Sequence, residues 1–262
     1  MLMCLTACSP LETEMTYKLY QEDCLEWMRQ QPEASIDIVL TSPPYNFDMP
    51  YGVYKDDISD YRSWTAAWIK EVARVLKPTG RMIINIQPKF SDRQPYHHWV
   101  YQSAEQAGLL WYGERIWNKN TINGYRGAAG SMGIPSKIYL WYSTEYLQIF
   151  SKDDIYRPTK KEDSLITMSE QTAWAKDHIW NIAPAKQKDH PAQMPKQLAD
   201  RLLKLFARKN DIVYDPFAGA GTTMLAAQEL GLDSIGTEID CEYIKLAHKR
   251  LNPNTFNQLF TI

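Results

Sequence analysis

The feature that most constrains this chain lies near its C-terminal end. Residues 211–214 suit a strand, Asp215-Pro216-Phe217-Ala218-Gly219-Ala220-Gly221-Thr222-Thr223 follows at once, 222–229 reads as a helix, and 234–238 is a second strand ending in Glu238. Strand, glycine turn, helix and strand form the unit from which parallel sheets are built. The two glycines let the backbone turn tightly and approach a ligand closely, and the helix that follows aims free N–H groups at it. An acid about 20 residues beyond such a turn is where nucleotide-type folds hold ribose hydroxyls. The pattern suits an adenosine-like ligand, although a plain tight turn explains the glycines alone equally well. A dinucleotide fingerprint has a third glycine where this chain has Met224, which disfavours NAD and FAD.

A second block of the same kind precedes it. Residues 16–20 and 35–41 read as strands, 61–76 as a helix with Trp64, Trp68, Val72 and Val75 on one face, 77–80 as a turn and 81–86 as a strand, while 241–250 closes the chain with a helix. The fold class is therefore α/β, a Rossmann-like, mostly parallel sheet with helices on both faces. Between the blocks the character changes. Residues 111–117 and 137–151 are rich in β-formers, with 139–142 and 146–150 readable as a hairpin across Ser143-Thr144-Glu145; 123–136 is a glycine-rich loop, and 152–177 is polar and weakly periodic. The organisation expected is a leader over 1–15, one half of a catalytic domain over 16–88, a smaller β-rich and loop-rich insert over 89–185, and the second half over 186–262.

At 262 residues the chain can bury a core without disulfides or metals. Cys4, Cys8, Cys24 and Cys241 form neither CxxC pairs nor a dense framework, which fits a reducing, cytoplasmic setting. Leu5-Thr6-Ala7-Cys8 looks like a lipoprotein cleavage box but lacks a basic n-region, so the leader is expected to be disordered and Met15 is an alternative start. Apolar runs are short and broken by charge or proline, giving no membrane partner. With 29 Lys+Arg against 31 Asp+Glu, the formal charge of -2 excludes a binder of polyanions by bulk charge. A local excess does exist. Lys186, Lys188, Lys196, Arg201, Lys204, Arg208 and Lys209 face only Asp189 and Asp200 across 186–209, though part of that stretch is an amphipathic helix whose charged face could simply be solvated. The loop around Tyr125, Arg126 and Lys137 is the better place for base contacts.

The second motif is Thr41-Ser42-Pro43-Pro44-Tyr45-Asn46, directly after a strand. Consecutive prolines remove two N–H donors and leave carbonyl oxygens beside a hydroxyl and a phenol, a set of acceptors for an amine with a ring to stack on. Taken alone, a Pro-Pro pair is also an ordinary way to end a strand.

Together the two motifs resemble those of the S-adenosylmethionine-dependent amino-methyltransferases of DNA, in the permuted class where the Ser/Asp-Pro-Pro-Tyr motif comes first. Supporting strings are Glu22-Asp23-Cys24-Leu25, Ile116-Trp117-Asn118-Lys119, 146–152, Ile179-Trp180 and His190-Pro191-Ala192 with Pro195, over about 17–250 of the chain. Ser42 stands where many members have Asp, and Glu22 where Gly is usual. The resemblance implies that S-adenosyl-L-methionine is the cofactor, its methionine part wrapped by Asp215, Phe217, Gly219, Gly221 and Thr222 with Thr41 beside them. It places the ribose hydroxyls on Glu238, the adenine amino group on Asp23, and the closing helix at His190 and Pro191. For Asp23 a helix N-terminal role, and for His190 a helix-start role satisfied by backbone, are the structural alternatives. The target-base site implied is Ser42, Pro43, Pro44 and Tyr45, and the 89–185 insert chooses the DNA site.

An exocyclic amine is a weak nucleophile because its lone pair is delocalised into the ring. Hydrogen bonds to the Ser42 hydroxyl and Pro43 carbonyl would pull the nitrogen toward tetrahedral geometry for direct, in-line transfer. The base must be flipped out of double-stranded DNA at a cost of a few kcal/mol, offset by stacking on Tyr45 worth roughly 1–3 kcal/mol. Methylation at ring carbon 5 of cytosine is excluded, since no cysteine follows a proline. Within the family Ser42 favours cytosine N4 over adenine N6. An RNA or protein amide methyltransferase and a silent DNA-binding module are the other readings; a companion restriction nuclease and a monomeric or homodimeric state are compatible with all of this.

Overall fold

A computed structural model of the chain describes residues 17–46, 50–51, 54–55, 58–89, 93–119, 138, 140, 142–185 and 193–252. The elements are β1 (Tyr17–Gln21), α1 (Cys24–Gln30), β2 (Ile36–Thr41), β3 (Pro50–Tyr51), β4 (Tyr54–Lys55), α2 (Tyr61–Val75), β5 (Leu76–Ile86), α3 (Tyr96–Gln106) and β6 (Leu109–Asn118). They continue with β7 (Thr144–Lys152), α4 (Met168–Lys176), β8 (Ile179–Asn181), α5 (Lys196–Phe206), β9 (Ile212–Asp215), α6 (Thr222–Glu229), β10 (Asp233–Glu238) and α7 (Cys241–Leu251).

Eight strands form one sheet in the order β1-β10-β9-β2-β5-β7-β6-β8, with β3 and β4 a separate two-stranded pair. Strands β1, β10, β9, β2 and β5 are parallel, β7 runs antiparallel to β5 and β6, and β8 is parallel to β6. Alternation along the strands divides the core into two layers. Met82, Ile84 and Ile86 of β5 pack with α1, α2 and α3, including Trp27, Trp68 and Val100. Ile83, with Ile38 and Leu40 of β2, packs with α5 and α6 through Leu198, Leu202 and Ala226. The expected face of α2 is the buried one: Trp68, Val72 and Val75 are inaccessible and Trp64 packs partly buried beside them.

From β2 the chain moves outward to β5, and from β9 it moves to β10 on the other side. The order therefore reverses between β2 and β9, and in open α/β sheets ligands bind beyond the carboxyl ends of the strands at such a switch point. The two sequence motifs sit there, one after each strand.

Several expectations need correction. Residues 77–80 are not a turn before the strand but part of β5: Ile36 pairs with Leu76 and Ile38 with Arg81, so an irregularity in the pairing absorbs the extra residues, with Thr79 at φ 63°. The hairpin between 139–142 and 146–150 does not form, because both edges of β7 are taken by β5 and β6; residues 139 and 141 lie outside the described set. Glu145, expected in the turn, is a strand residue in β7. The β-rich part of 89–185 is continuous with the catalytic sheet, contributing β6, β7 and β8. Within the polar 152–177 stretch, α4 forms with Thr167 and Glu170 in a reciprocal capping box, and Lys204 of α5 pairs with Glu170 at 2.6 Å. The same stretch is tied under the sheet by Arg157, which bonds Asp211 at 2.7 and 2.9 Å and Asp37 at 3.2 Å. No helix among the described residues is long and apolar enough to cross a membrane. The leader and the loop carrying Tyr125, Arg126 and Lys137 lie outside the described residues.

Candidate active site

A pocket opens at the switch point, lined by Ser42, Pro43, Pro44 and Tyr45 on one side and by Phe217, Gly219 and Glu238 on the other. Asp23, Trp64, Asp240 and Tyr243 complete its walls. The glycine loop is held in shape from beneath. Asp215, at the end of β9, accepts from the Phe217 amide at 3.0 Å and from the buried Thr41 hydroxyl at 2.6 Å, which stitches the two motifs together across neighbouring strands. Burial drives the Asp215 pKa up to about 6 against the hydrogen bonds that lower it. Thr41 and Asp215 thus support the loop from behind; neither lines the pocket.

Gly221 caps α6 at φ 73°, in the left-handed region, and a Cβ there would meet that of Ala247 at 3.0 Å. Met224, at the place where a third glycine was wanting, is fully buried against Gly236 of β10, where a Cβ would come within 2.6 Å of the Met224 sulfur. Thr222 is buried and accepts from Arg250 at 3.2 Å and from Gln193.

Glu238 is braced by two amides: Gly219 N–H donates to Oε2 and Asp240 N–H to Oε1, both at 2.9 Å. Burial holds its pKa above the ordinary carboxylate value. The Asp240 side chain caps α7 through Oδ1, while its Oδ2 is buried with no hydrogen-bond partner at the pocket wall. A buried acceptor without a partner is costly unless a donor arrives. Asp23 takes the capping role that its position allowed, accepting from Leu25 and Glu26 amides at 2.8 and 3.2 Å, and lines the pocket as well. Three carboxylates beside Phe217, Trp64 and Tyr243 fit a ligand that combines hydroxyls, positive charge and an aromatic ring.

On the opposite wall the two prolines behave differently from each other. The Pro44 carbonyl, expected to face outward, is taken by the Tyr61 hydroxyl at 2.8 Å. Asn46, at φ 54°, fixes the loop by bonding both backbone groups of Ile58 at 2.8 and 3.1 Å. Tyr45 lines the pocket but is only 7% exposed, and its hydroxyl is anchored by Ser42 at 2.9 Å, the Asn85 carbonyl at 3.0 Å and Glu145 at 2.9 Å. Burial and then the Glu145 charge push its pKa well above that of a free phenol. Asn85 and Glu145 were not singled out from sequence. Their signal was a polar residue inside an apolar strand run, Met82-Ile83-Ile84-Asn85-Ile86 and Tyr146-Leu147 preceded by Glu145.

His190 and Pro191 lie outside the described residues, as do Lys186 and Lys188. The remaining local basic excess is largely spent internally. Lys196 pairs with Asp200 and Glu229, Lys204 with Glu170, and Arg208 with Asp211, while Arg201 lies over Trp174 and Trp180 at 5.2 and 5.7 Å. Helix α5 therefore does not present the free basic stripe that its composition suggested.

Comparisons with known proteins agree with this geometry. The family model described as DNA methylase, for N6 and N4 methyltransferases, matches residues 36–249. The type II methyltransferase M.HpaI of Haemophilus parainfluenzae is 28% identical, over 91% of this chain and 75% of that protein. M.ScaI of Streptomyces caespitosus is 27% identical over 89% of this chain and 80% of its own. Among solved structures, TTHA0409, a DNA modification methylase of Thermus thermophilus complexed with S-adenosyl-L-methionine, superposes with a TM-score of 0.69 at 28% identity, covering 91% of this chain and 95% of that one. The PvuII cytosine-N4-specific DNA methyltransferase shares the fold with a TM-score of 0.67 at 21% identity, over 89% and 87%.

Proposed function

The chain belongs to the N6/N4 DNA methylase family, and from that premise we propose that it methylates the exocyclic N4 amine of cytosine in double-stranded DNA with S-adenosyl-L-methionine as cofactor. The observation that carries the reading is the pocket in which the Ser42–Tyr45 loop faces the glycine loop and Glu238. Bound there, the cofactor supplies an electrophilic methyl group on a sulfonium sulfur.

The residues of the pocket divide the remaining work. Glu238, pinned by the Gly219 and Asp240 amides, keeps lone pairs for ribose hydroxyls. The unpartnered Asp240 oxygen offers a further acceptor. Asp23 stands at the pocket mouth for the adenine amino group, and Phe217, itself packed on Trp64 and Trp68 at 5.4 Å, supplies an apolar wall. Cofactor positioning also falls to Gly219, Gly221 and Thr222, with His190 and Pro191 opening the helix that closes over them.

Ser42 and the Pro43 carbonyl hold the target amine, and the Tyr45 ring flanks the base. Two acceptors draw the nitrogen out of conjugation and aim its lone pair. Ser42 in the first motif position supports cytosine over adenine. Incubation with labelled cofactor and DNA, RNA or protein tests the reading: label in DNA is expected, and label confined to RNA or protein, or none, would overturn it. Tyr45→Ala is expected to keep cofactor affinity by calorimetry and lose most turnover.

A further inference from the structure

Beneath the target-base wall lies a buried polar cluster to which amine binding by Ser42 assigns no task. Glu145 opens β7 and is 5% exposed. Its Oε2 accepts from the Tyr45 hydroxyl at 2.9 Å and from Asn85 Nδ2 at 2.6 Å, while Oε1 pairs with the Lys119 ammonium. Lys119 also donates to Gln87 at 3.0 Å. A carboxylate, an amide, a phenol and an ammonium thus meet inside an otherwise apolar sheet, a costly arrangement unless all of its members are satisfied.

We propose that Glu145 is a positioning residue that sets the direction of the hydrogen bond between Ser42 and Tyr45, so that Ser42 presents lone pairs, and no proton, to the target amine. The inference rests on the amino-methylation reading, which gives Ser42 the task of accepting from that amine.

The argument follows from counting protons. A phenol carries one. Its interior acceptors, Glu145 at 2.9 Å and the Asn85 carbonyl at 3.0 Å, both lie away from Ser42, so that proton is spent inward. Asn85 Nδ2 donates to Glu145 and also to the phenol oxygen at 3.1 Å; turning the amide over would set two oxygens against each other at 2.6 Å, so the carboxylate fixes the amide as well. The 2.9 Å contact between Ser42 and Tyr45 is then satisfied with Ser42 donating. A serine hydroxyl has a single proton, and once it points at Tyr45 the pocket meets only the oxygen lone pairs. Those are what an amine N–H requires. The aligned chain from Ser42 through Tyr45 to Glu145 strengthens cooperatively as the nitrogen becomes positive.

Glutamine at 145 breaks the polarity without removing bulk. Its carbonyl oxygen would be claimed by Lys119, and its NH₂ group would turn toward Tyr45 and Asn85, placing donors where the phenol proton goes. The experiment measures kcat and KM on unmethylated plasmid DNA, with cofactor affinity by calorimetry, for wild type, Glu145→Gln, Tyr45→Phe, Ser42→Ala and the pairwise combinations.

Glu145→Gln is expected to lower kcat by about 10- to 100-fold with KM for DNA and cofactor affinity within about twofold of wild type. It should cause no further loss in a Tyr45→Phe or Ser42→Ala background. An unchanged kcat in the single variant, or the same loss in both backgrounds, would overturn the proposal. If Glu145→Gln does not fold, Tyr45→Phe decides: it must lower kcat alone and change nothing further once Ser42 is alanine, and independent losses would overturn the chain. Wild-type turnover on DNA is the reference throughout, so absence of wild-type methylation defeats the functional reading, whereas additive losses on an active wild type defeat only this inference.

Discussion

Replacing Asp215 by asparagine should change how stability depends on pH in a calculable way. Asp215 is 4% exposed, and burial raises its pKa from the ordinary aspartate range to about 6 despite hydrogen bonds from Thr41 and the Phe217 amide. A carboxyl whose folded value is raised holds its proton more tightly when folded. Its contribution to stability is complete below the unfolded value of about 4 and is lost as pH rises through about 6. The loss by neutral pH is on the order of 3 kcal/mol. Asparagine keeps the carbonyl acceptor and carries no charge at any pH. In urea unfolding at pH 4.5 and pH 8, the stability of Asp215→Asn relative to wild type should rise toward pH 8 by about 2–3 kcal/mol. Wild-type and variant profiles that run parallel across the window would refute the buried, charge-disfavouring environment assigned to Asp215.

Other predictions test packing and support. Gly236→Ala should cost about 1–3 kcal/mol by overpacking, since its Cβ would lie 2.6 Å from the Met224 sulfur and 2.9 Å from the Ala218 Cβ; thermal melting should show the loss, and Met224→Ala should recover part of it. Arg157→Ala leaves the nearly buried Asp37 and Asp211 without their shared cation and should cost about 3–5 kcal/mol, measured by denaturant unfolding. Asp215→Ala, which lacks both acceptor oxygens, should weaken cofactor binding by calorimetry, and wild-type affinity would remove Asp215 from the support of that loop.

Much of the fold was legible because its strands and helices obey simple periodicity. The β2 and β5 runs, the α2 face and the strand, turn, helix and strand around Gly219 and Gly221 all appear where the pattern puts them. The compensation between Met224 and Gly236 explains how a bulky residue occupies the third glycine position, something visible only once α6 is packed on β10. Residues 77–80 read as a turn because proline and glycine mark turns, yet pairing across β2 holds them in the sheet. Helix α4 escaped notice because it buries no residue fully, so it has little apolar period; its cap and the Glu170–Lys204 pair define it. The seven cations across 186–209 were legible as a count, but their partners come from α4, α6 and β9 or its approach, which sequence does not bring together. Glu145 was hidden for the same reason: its partners Tyr45, Asn85 and Lys119 are distant in the chain and meet only through the order of β2, β5, β7 and β6.

The central claim is that the pocket between the Ser42–Tyr45 loop and Glu238 methylates a cytosine amine in duplex DNA. Nucleoside mass spectrometry of plasmid DNA treated with the protein and S-adenosyl-L-methionine tests it most directly. The expected product is N4-methylcytosine, lost in Tyr45→Ala. N6-methyladenine in its place would contradict the choice of base that Ser42 supports, and DNA without any methylated nucleoside would contradict the account of the site itself.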